Sequence, residues 1–134
     1  HLVYNEELDR LELFWRYTDY DTDYMALYMR YSYDGDNWSD KLVYFETYEK
    51  EKYDMVSPAI IRDDGAYKVW YVCHYQLYYR ELRNGAWSQP RPTDLTFEDG
   101  AYVWHPDVIK TNRGYELLIC IFQHRRTDSV GKQQ

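Results

Sequence analysis

Cysteine is scarce in this sequence of 134 residues, in which Cys73 and Cys120 are the two cysteines. They do not form a CxxC pattern, and the four histidines have no paired spacing suited to zinc. Both cysteines fall inside apolar, tyrosine-rich segments, so we expect two buried free thiols. That usage favours folding in a reducing compartment.

Long apolar runs and basic charge are missing too. No stretch approaches the roughly 20 consecutive apolar residues of a membrane-spanning helix. The formal net charge of −7 argues against nucleic acid and anionic membranes as partners, because both are recognised through basic patches. A neutral glycan, an oligomer or a protein partner is compatible with it. The chain opens at His1 without an initiator methionine or a signal core, so we expect it to begin inside a longer polypeptide.

Tyrosine and tryptophan, in contrast, are abundant. The sequence has 17 Tyr and 5 Trp against 4 Phe, and aromatic residues make up 19% of it. These side chains favour strands over helices, and each joins a large apolar body to a polar tip. The composition predicts an all-β protein whose core holds most of the rings. We expect a subset of them to line a pocket for a polar ligand.

The sequence also repeats itself, with a period of about 50 residues. Three apolar segments align: residues 11–15 (LELFW), 67–71 (YKVWY) and 115–119 (YELLI). Each follows a short apolar leader and a polar turn. Asp64-Gly65 in the second turn supplies the positive φ that tight hairpins need.

The first two units agree in their second halves as well. Residues 28–31 (YMRY) lead through Asp34-Gly35 to Trp38-Ser39, and residues 78–81 (YYRE) lead through Asn84-Gly85 to Trp87-Ser88. Each unit therefore reads as four antiparallel strands, the size of a propeller blade.

We predict an all-β, propeller-type chain of tandem four-stranded blades. Blade 1 spans about 1–46, blade 2 about 55–96 and the start of blade 3 about 103–122, with a tail over 123–134. About two and a half blades are fewer than the four to eight of a closed propeller, which predicts a fragment of a larger one. Other chains covering the open faces, or a small self-contained β-sandwich, are the alternatives.

Three motifs resemble the five-bladed propeller glycosidases and their relatives, such as glycoside hydrolase families 43 and 32. Residues 32–38 (SYDGDNW) resemble their S-x-D-G-x-x-W hairpin. Residues 57–61 (SPAII), ahead of 67–72 (YKVWYV), resemble the innermost and second strands of their blades. Residues 104–108 (WHPDV) resemble the W-x-P-D-V segment of family 43. This resemblance covers most of the chain and implies a propeller with a carbohydrate ligand.

The resemblance also implies a role for one carboxylate. Asp107 stands where the family's auxiliary carboxylate tunes the general acid and contacts the sugar. Ala59 and residues 1–3 (HLV) offer no carboxylate at two other strand positions. Glycoside hydrolysis needs two carboxyl groups, ~5 to ~9.5 Å apart, and the sequence shows a single inward-facing candidate.

Residue chemistry singles out the same segment. Asp107 lies in an apolar run, where a carboxylate is costly to bury without a partner, and a turn cap or an arginine partner is the alternative reading. Trp104, Tyr102 and Tyr75 are candidate stacking platforms for sugar rings, with core packing as their alternative. His105 is a candidate substrate-binding residue, with a purely structural histidine as its alternative.

Residues 19–23 (DYDTD) alternate carboxylates like a calcium loop. The EF-hand pattern then requires Gly at the sixth position and Glu at the twelfth, where Tyr24 and Arg30 stand. We therefore predict neither a metal nor a cofactor.

Two functions follow as hypotheses. The first is a carbohydrate-recognising propeller module, part of a viral or bacterial surface-attachment protein and therefore extracellular or virion-associated. The second is a glycoside hydrolase fragment acting on an arabinan-, xylan- or fructan-like substrate, with Asp107 in its active site. A scaffold blade used for assembly is a third reading. The expected partners are a glycan and the remaining blades or other protein chains.

Overall fold

The computed structural model describes residues 1–98 and 100–123. Antiparallel strands supply nearly all of its regular structure, which confirms the prediction of an all-β chain. In the described part, no helix is long and apolar enough to cross a membrane. Apart from Gln123, the tail expected at 123–134 lies outside the described residues.

The strands form three antiparallel sheets. Sheet I contains β1 (Leu2–Asn5), β2 (Arg10–Asp19), β3 (Tyr24–Ser32) and β4 (Leu42–Thr47) in that order. Sheet II contains β5 (Val56–Asp63), β6 (Ala66–Cys73), β7 (Gln76–Arg83), β8 (Ala86–Trp87) and β9 (Arg91–Pro92). Sheet III is the pair β10 (Ala101–Thr111) and β11 (Gly114–Gln123). A single helical turn, α1 (Lys50–Tyr53), connects sheet I to sheet II.

Sheet II departs from a four-strand plan at its edge. β8 and β9 are each two residues long, and both pair with β7. Pro90 lies between them. Because proline has no N–H to donate to a strand ladder, the edge strand is interrupted there.

Two hairpin turns of sheet II have the predicted backbone. Asp64 and Gly65 have φ of 49° and 68°, and Asn84 and Gly85 have φ of 51° and 75°. Both central residues of each turn are thus left-handed, as in type I′ turns. Aspartate, asparagine and glycine are the residues that tolerate this conformation.

The hairpin loop between β3 and β4 is held by its own side chains. Asp34 accepts hydrogen bonds from the backbone N–H groups of Asp36 and Asn37 at 2.9 and 2.8 Å, and from the Asn37 side chain at 2.8 Å. The bond from the Asn37 side chain is the main reason that the Asp34 pKa lies well below its ordinary value. The S-x-D-G-x-x-W motif therefore has a structural role in this chain.

The main core lies between sheets I and II. Its members are buried apolar side chains contributed by both sheets: Val3, Phe14, Met25, Leu27, Met29, Met55, Ile60, Tyr67, Val69, Tyr71 and Cys73. Edge-to-face contacts join rings of the two sheets, with Phe14 and Tyr67 centroids 5.5 Å apart. At the rim, the Trp87 indole N–H donates to the carbonyl of Tyr44 at 2.7 Å and ties β8 to β4.

A polar group sits inside this core. Glu12 of β2 is fully buried, and its carboxyl group accepts hydrogen bonds from the Tyr67 hydroxyl at 2.5 Å and the Asn5 amide at 3.0 Å. Arg10 forms an ion pair with it at 2.8 Å. A buried carboxyl group without partners would be costly, so this network fixes sheet I against sheet II. Burial is the largest cause of the raised Tyr67 pKa, and the hydrogen bond to Glu12 raises it further.

Sheets II and III are joined by a similar contact. The Lys68 ammonium donates to the Tyr115 hydroxyl at 2.8 Å, and the Tyr115 ring lies 5.3 Å from that of Trp70. Next to it, Asp63 accepts hydrogen bonds from Lys110 at 2.5 Å and from the Tyr115 hydroxyl. The ammonium of Lys110 is the largest cause of the lowered Asp63 pKa.

The prediction of two buried free thiols is half right. Cys73 is buried in the core, as predicted, but Cys120 is exposed, and both thiols are free. Side chains alternate across a strand, and on β11 the half-buried Leu117 and Ile119 point to one face. Cys120 shares the opposite, exposed face with Leu118.

The lowered pKa of Asp63 predicts an acid-sensitive contact between sheets II and III. A carboxylate with a depressed folded-state pKa stabilises the protein above its unfolded-state pKa, and this contribution is lost as pH falls through the folded-state pKa. We expect Asp63→Asn to flatten the decline of the unfolding free energy between roughly pH 5 and pH 2. Urea denaturation at a series of pH values measures this decline.

Asp64→Asn is the matched control, because Asp64 is a neighbouring, 83% exposed carboxylate whose left-handed backbone suits asparagine. It should keep the acid dependence of the parent chain. An equal acid dependence in Asp63→Asn and the parent would contradict this account.

Candidate functional site

Three aromatic residues predicted as sugar platforms lie together at the end of sheets II and III. The Tyr75 ring is 5.1 Å from that of Tyr102 and 6.2 Å from that of Trp104, with an interplanar angle of 22° to the latter. The three side chains are 55%, 39% and 45% exposed, respectively. They are therefore not core residues, and we call them the aromatic cluster.

The backbone at Tyr75 is unusual. His74 and Tyr75 form the turn between β6 and β7, with φ of 48° and 62°. The other two tight turns of sheet II place Asp-Gly and Asn-Gly in this left-handed conformation. For residues other than glycine it costs roughly 1–2 kcal/mol each, so this turn holds a histidine and a tyrosine against their backbone preference. Such positions cluster at functional sites.

The turn is anchored on its histidine side. The Nε2 atom of His74 lies 2.6 Å from the carbonyl oxygen of Glu51 in α1. This contact ties the end of sheet II to the connection from sheet I. It leaves Tyr75 directed towards sheet III, where its ring meets the other two.

The aromatic residues of β10 are placed by a bulge. Val103 pairs with Ile121 and His105 with Cys120, so Trp104 has no partner on β11. A bulge of this kind bends the strand and redirects the extra side chain. Val103 is buried next to it, whereas Trp104 is exposed beside Tyr75.

Two cavities meet at the aromatic cluster. The larger has a volume of about 620 Å³ and is lined by Tyr75 and Tyr102 together with the polar side chains of Gln76, Thr93 and Asp94. A second cavity of about 440 Å³ is walled mainly by apolar groups, including all three rings of the cluster. The site thus combines flat aromatic faces with amide, hydroxyl and carboxylate groups that form hydrogen bonds.

Sequence reasoning missed the polar side of this site. Thr93 and Asp94 follow β9, where the internal repeat predicts only the end of blade 2. The available signal was Pro90, which interrupts the edge strand between β8 and β9. Gln76 was missed because it begins a strand whose pattern indicated only structure.

Asp107 and His105 lie further along β10. Asp107 is exposed, with 60% of its side chain accessible, and its carboxylate is 3.7 Å from Nδ1 of His1. The expectation of a buried carboxylate at Asp107 is therefore wrong. The side chains of Pro106 and Val108 lie on the buried face of β10, and Asp107, between them, lies on the exposed face. Among the described residues, the ion-pair partner of Asp107 is His1 rather than an arginine. Its role in catalysis stays a prediction.

His105 bridges two strands. Its Nδ1 atom shares a hydrogen bond with the hydroxyl of Ser57 on β5, and its ring lies 5.6 Å from that of Trp104. Ser57 itself has a positive φ of 49°. His105 thus supports the position of Trp104, and its part in ligand binding remains a prediction. Ala59 on the same strand is fully buried, so this position could not present a side chain to a ligand.

Within residues 1–98 and 100–123, no group of three or more His, Cys, Asp or Glu side chains is arranged to hold a metal ion. Comparison with family models, curated proteins and solved structures finds no match to this chain.

The left-handed backbone of Tyr75 predicts an unusual order of stabilities. Tyr75→Gly and Tyr75→Ala both remove the ring contacts, but alanine retains the clash of a Cβ atom in the left-handed region. We expect the glycine variant to be more stable than the alanine variant by about 1 kcal/mol. Chemical denaturation of the two variants measures this difference.

Gly85→Ala calibrates the result, because φ there is 75° and a Cβ atom would meet no other atom within 4 Å. It should cost a similar amount. An alanine variant at position 75 that equals or exceeds the glycine variant in stability would refute the backbone argument.

Proposed function

We propose that the chain is part of a propeller-type domain that recognises a neutral glycan through the aromatic cluster. The first strands of the three sheets support the propeller arrangement. β5 contacts both β1 and β10, and one cavity is lined by residues from all three strands, among them Val3, Ile60 and Val108. Blades of a propeller bring their first strands together around a central axis in this manner.

The backbone conformation of His74 and Tyr75 carries the binding proposal. Sheet II contains two turns in which aspartate or asparagine with glycine satisfies the same geometry at low cost. A tyrosine in the third turn sacrifices stability and leaves its ring more than half exposed next to two further rings. A role in ligand contact explains why that side chain is present.

The chemistry of the site favours a sugar. The C–H face of a pyranose or furanose ring packs on aromatic faces, and its hydroxyl groups need the donors and acceptors that Gln76, Thr93 and Asp94 provide. The residues that line the larger cavity include no lysine or arginine in the described part of the chain. A negatively charged sugar would have no lysine or arginine counterion in this lining, and Asp94 would repel it.

The glycoside hydrolase alternative depends on Asp107. Its carboxylate is exposed on the same strand as Trp104, but Asp107 lines neither cavity at the aromatic cluster. Hydrolysis would require a second carboxyl group at ~5 to ~9.5 Å, supplied by part of the propeller beyond these three sheets. Retained sugar release in Asp107→Asn would exclude the alternative.

A glycan array with neutral and sialylated sugars tests the binding proposal. We expect binding to neutral glycans, with a loss of at least about tenfold in affinity, or about 1.4 kcal/mol, in Tyr75→Gly and in Trp104→Ala. Tyr20→Ala is the matched control, because Tyr20 is 75% exposed in a turn of sheet I, and it should bind like the parent chain. Binding that is unchanged in both site variants, or confined to sialylated glycans, would contradict the proposal.

A further inference from the structure

The two contacts between neighbouring sheets are built in the same way. Between sheets I and II, Tyr67 donates its hydroxyl to Glu12 and packs its ring against Phe14. Between sheets II and III, Tyr115 accepts a hydrogen bond from Lys68 and packs its ring against Trp70. In both contacts, a tyrosine of one sheet touches two residues of the preceding sheet. One is charged, and the other is an aromatic residue two positions later on the same strand.

These contacts follow from the repeat. Glu12, Lys68 and Glu116 occupy equivalent positions in the aligned segments 11–15, 67–71 and 115–119, one residue after Leu11, Tyr67 and Tyr115. Successive side chains of a strand point to opposite faces. In each sheet, the residue at the tyrosine position therefore faces the preceding sheet, and the charged residue next to it faces the following sheet.

In the part of the chain that the structure describes, sheet III carries the charged half of this contact without a partner. Glu116 is exposed on the outer face of β11, and Leu118, two positions on, is 75% exposed. Among the residues that the structure describes, none forms a hydrogen bond or an ion pair with the Glu116 carboxylate. Cys120 lies on the same face. We call Glu116, Leu118 and Cys120 the open face.

We propose that the open face is the docking surface for a further antiparallel sheet of the same kind. The second strand of that sheet presents a tyrosine, whose hydroxyl donates to Glu116 and whose ring packs on Leu118. This inference rests on the proposed propeller arrangement. Its tests require no glycan, although Cys120 also lines the smaller cavity at the aromatic cluster.

A second copy of the chain does not fit as well. The outer face of its sheet I would have to dock here, and its residue at the tyrosine position is Leu11. Leucine has no hydroxyl, so docking would desolvate Glu116 without giving it a partner, which is costly. The chemistry therefore selects a sheet with a tyrosine at this position.

Cys120 reports on the open face, and the buried Cys73 is an internal control. A copy of residues 55–98, with its own cysteine replaced (C73A), is fused after Gln134 through a flexible linker, so that its Tyr67 can reach Glu116. We expect a water-soluble disulfide reagent to label Cys120 at least tenfold more slowly in the fused chain than in the parent chain. Tyr67→Phe in the appended copy should restore part of the reactivity.

A single substitution provides the second test. Leu11→Tyr gives sheet I the missing tyrosine, so a second copy can then supply it, and we expect this variant to self-associate in sedimentation equilibrium where the parent chain does not. Adding Glu116→Ala, which removes the acceptor, should weaken that association at least tenfold. Failure of both the protection of Cys120 and the association of Leu11→Tyr overturns the proposal. Association of the parent chain with protection of Cys120 makes a second copy the occupant and overturns it as well.

Discussion

The hydrogen bond from Tyr67 to Glu12 is the contact on which the packing of the first two sheets depends. Glu12 is fully buried, and a carboxyl group in that position is tolerated only with partners. These come from both sides: Asn5 and Arg10 from sheet I, and Tyr67 from sheet II. Apolar packing alone would permit the sheets to slide, whereas a directional bond at a buried carboxyl group selects one arrangement.

The candidate site is a consequence of this stacking. Sheet II contributes the turn that carries Tyr75, and sheet III contributes Tyr102 and Trp104. The hydrogen bonds that Asp63 accepts from Lys110 and Tyr115 hold the two sheets together. A turn that is held against its backbone preference keeps a bulky ring in place only when the surrounding structure is rigid. Stability is thus concentrated between the sheets, and strain is located where the ligand is proposed to bind.

Much of the fold could be predicted from the sequence, because hydrophobic alternation, Asp-Gly and Asn-Gly turns and the internal repeat are local signals. Tyr75, Tyr102 and Trp104 were each predicted as candidate stacking platforms, with core packing as the alternative, but their grouping into one cluster was not predicted. Contacts between sheets were not predictable: the burial of Glu12, the exposure of Asp107 and of Cys120, and the polar side chains of Thr93 and Asp94 all depend on which faces meet. The left-handed turn at His74 was hidden for another reason, because its residues contradict the usual turn preferences.

A double-mutant cycle on Glu12 and Tyr67 tests the central claim most directly. The unfolding free energies of Glu12→Leu, Tyr67→Phe and the double variant give the coupling energy of the pair, because leucine has no oxygen to accept the Tyr67 hydroxyl. The account predicts a coupling of at least about 1 kcal/mol, because each substitution leaves the other group buried with a lost partner. Effects that add to within about 0.3 kcal/mol would show that the bond does not hold the sheets together.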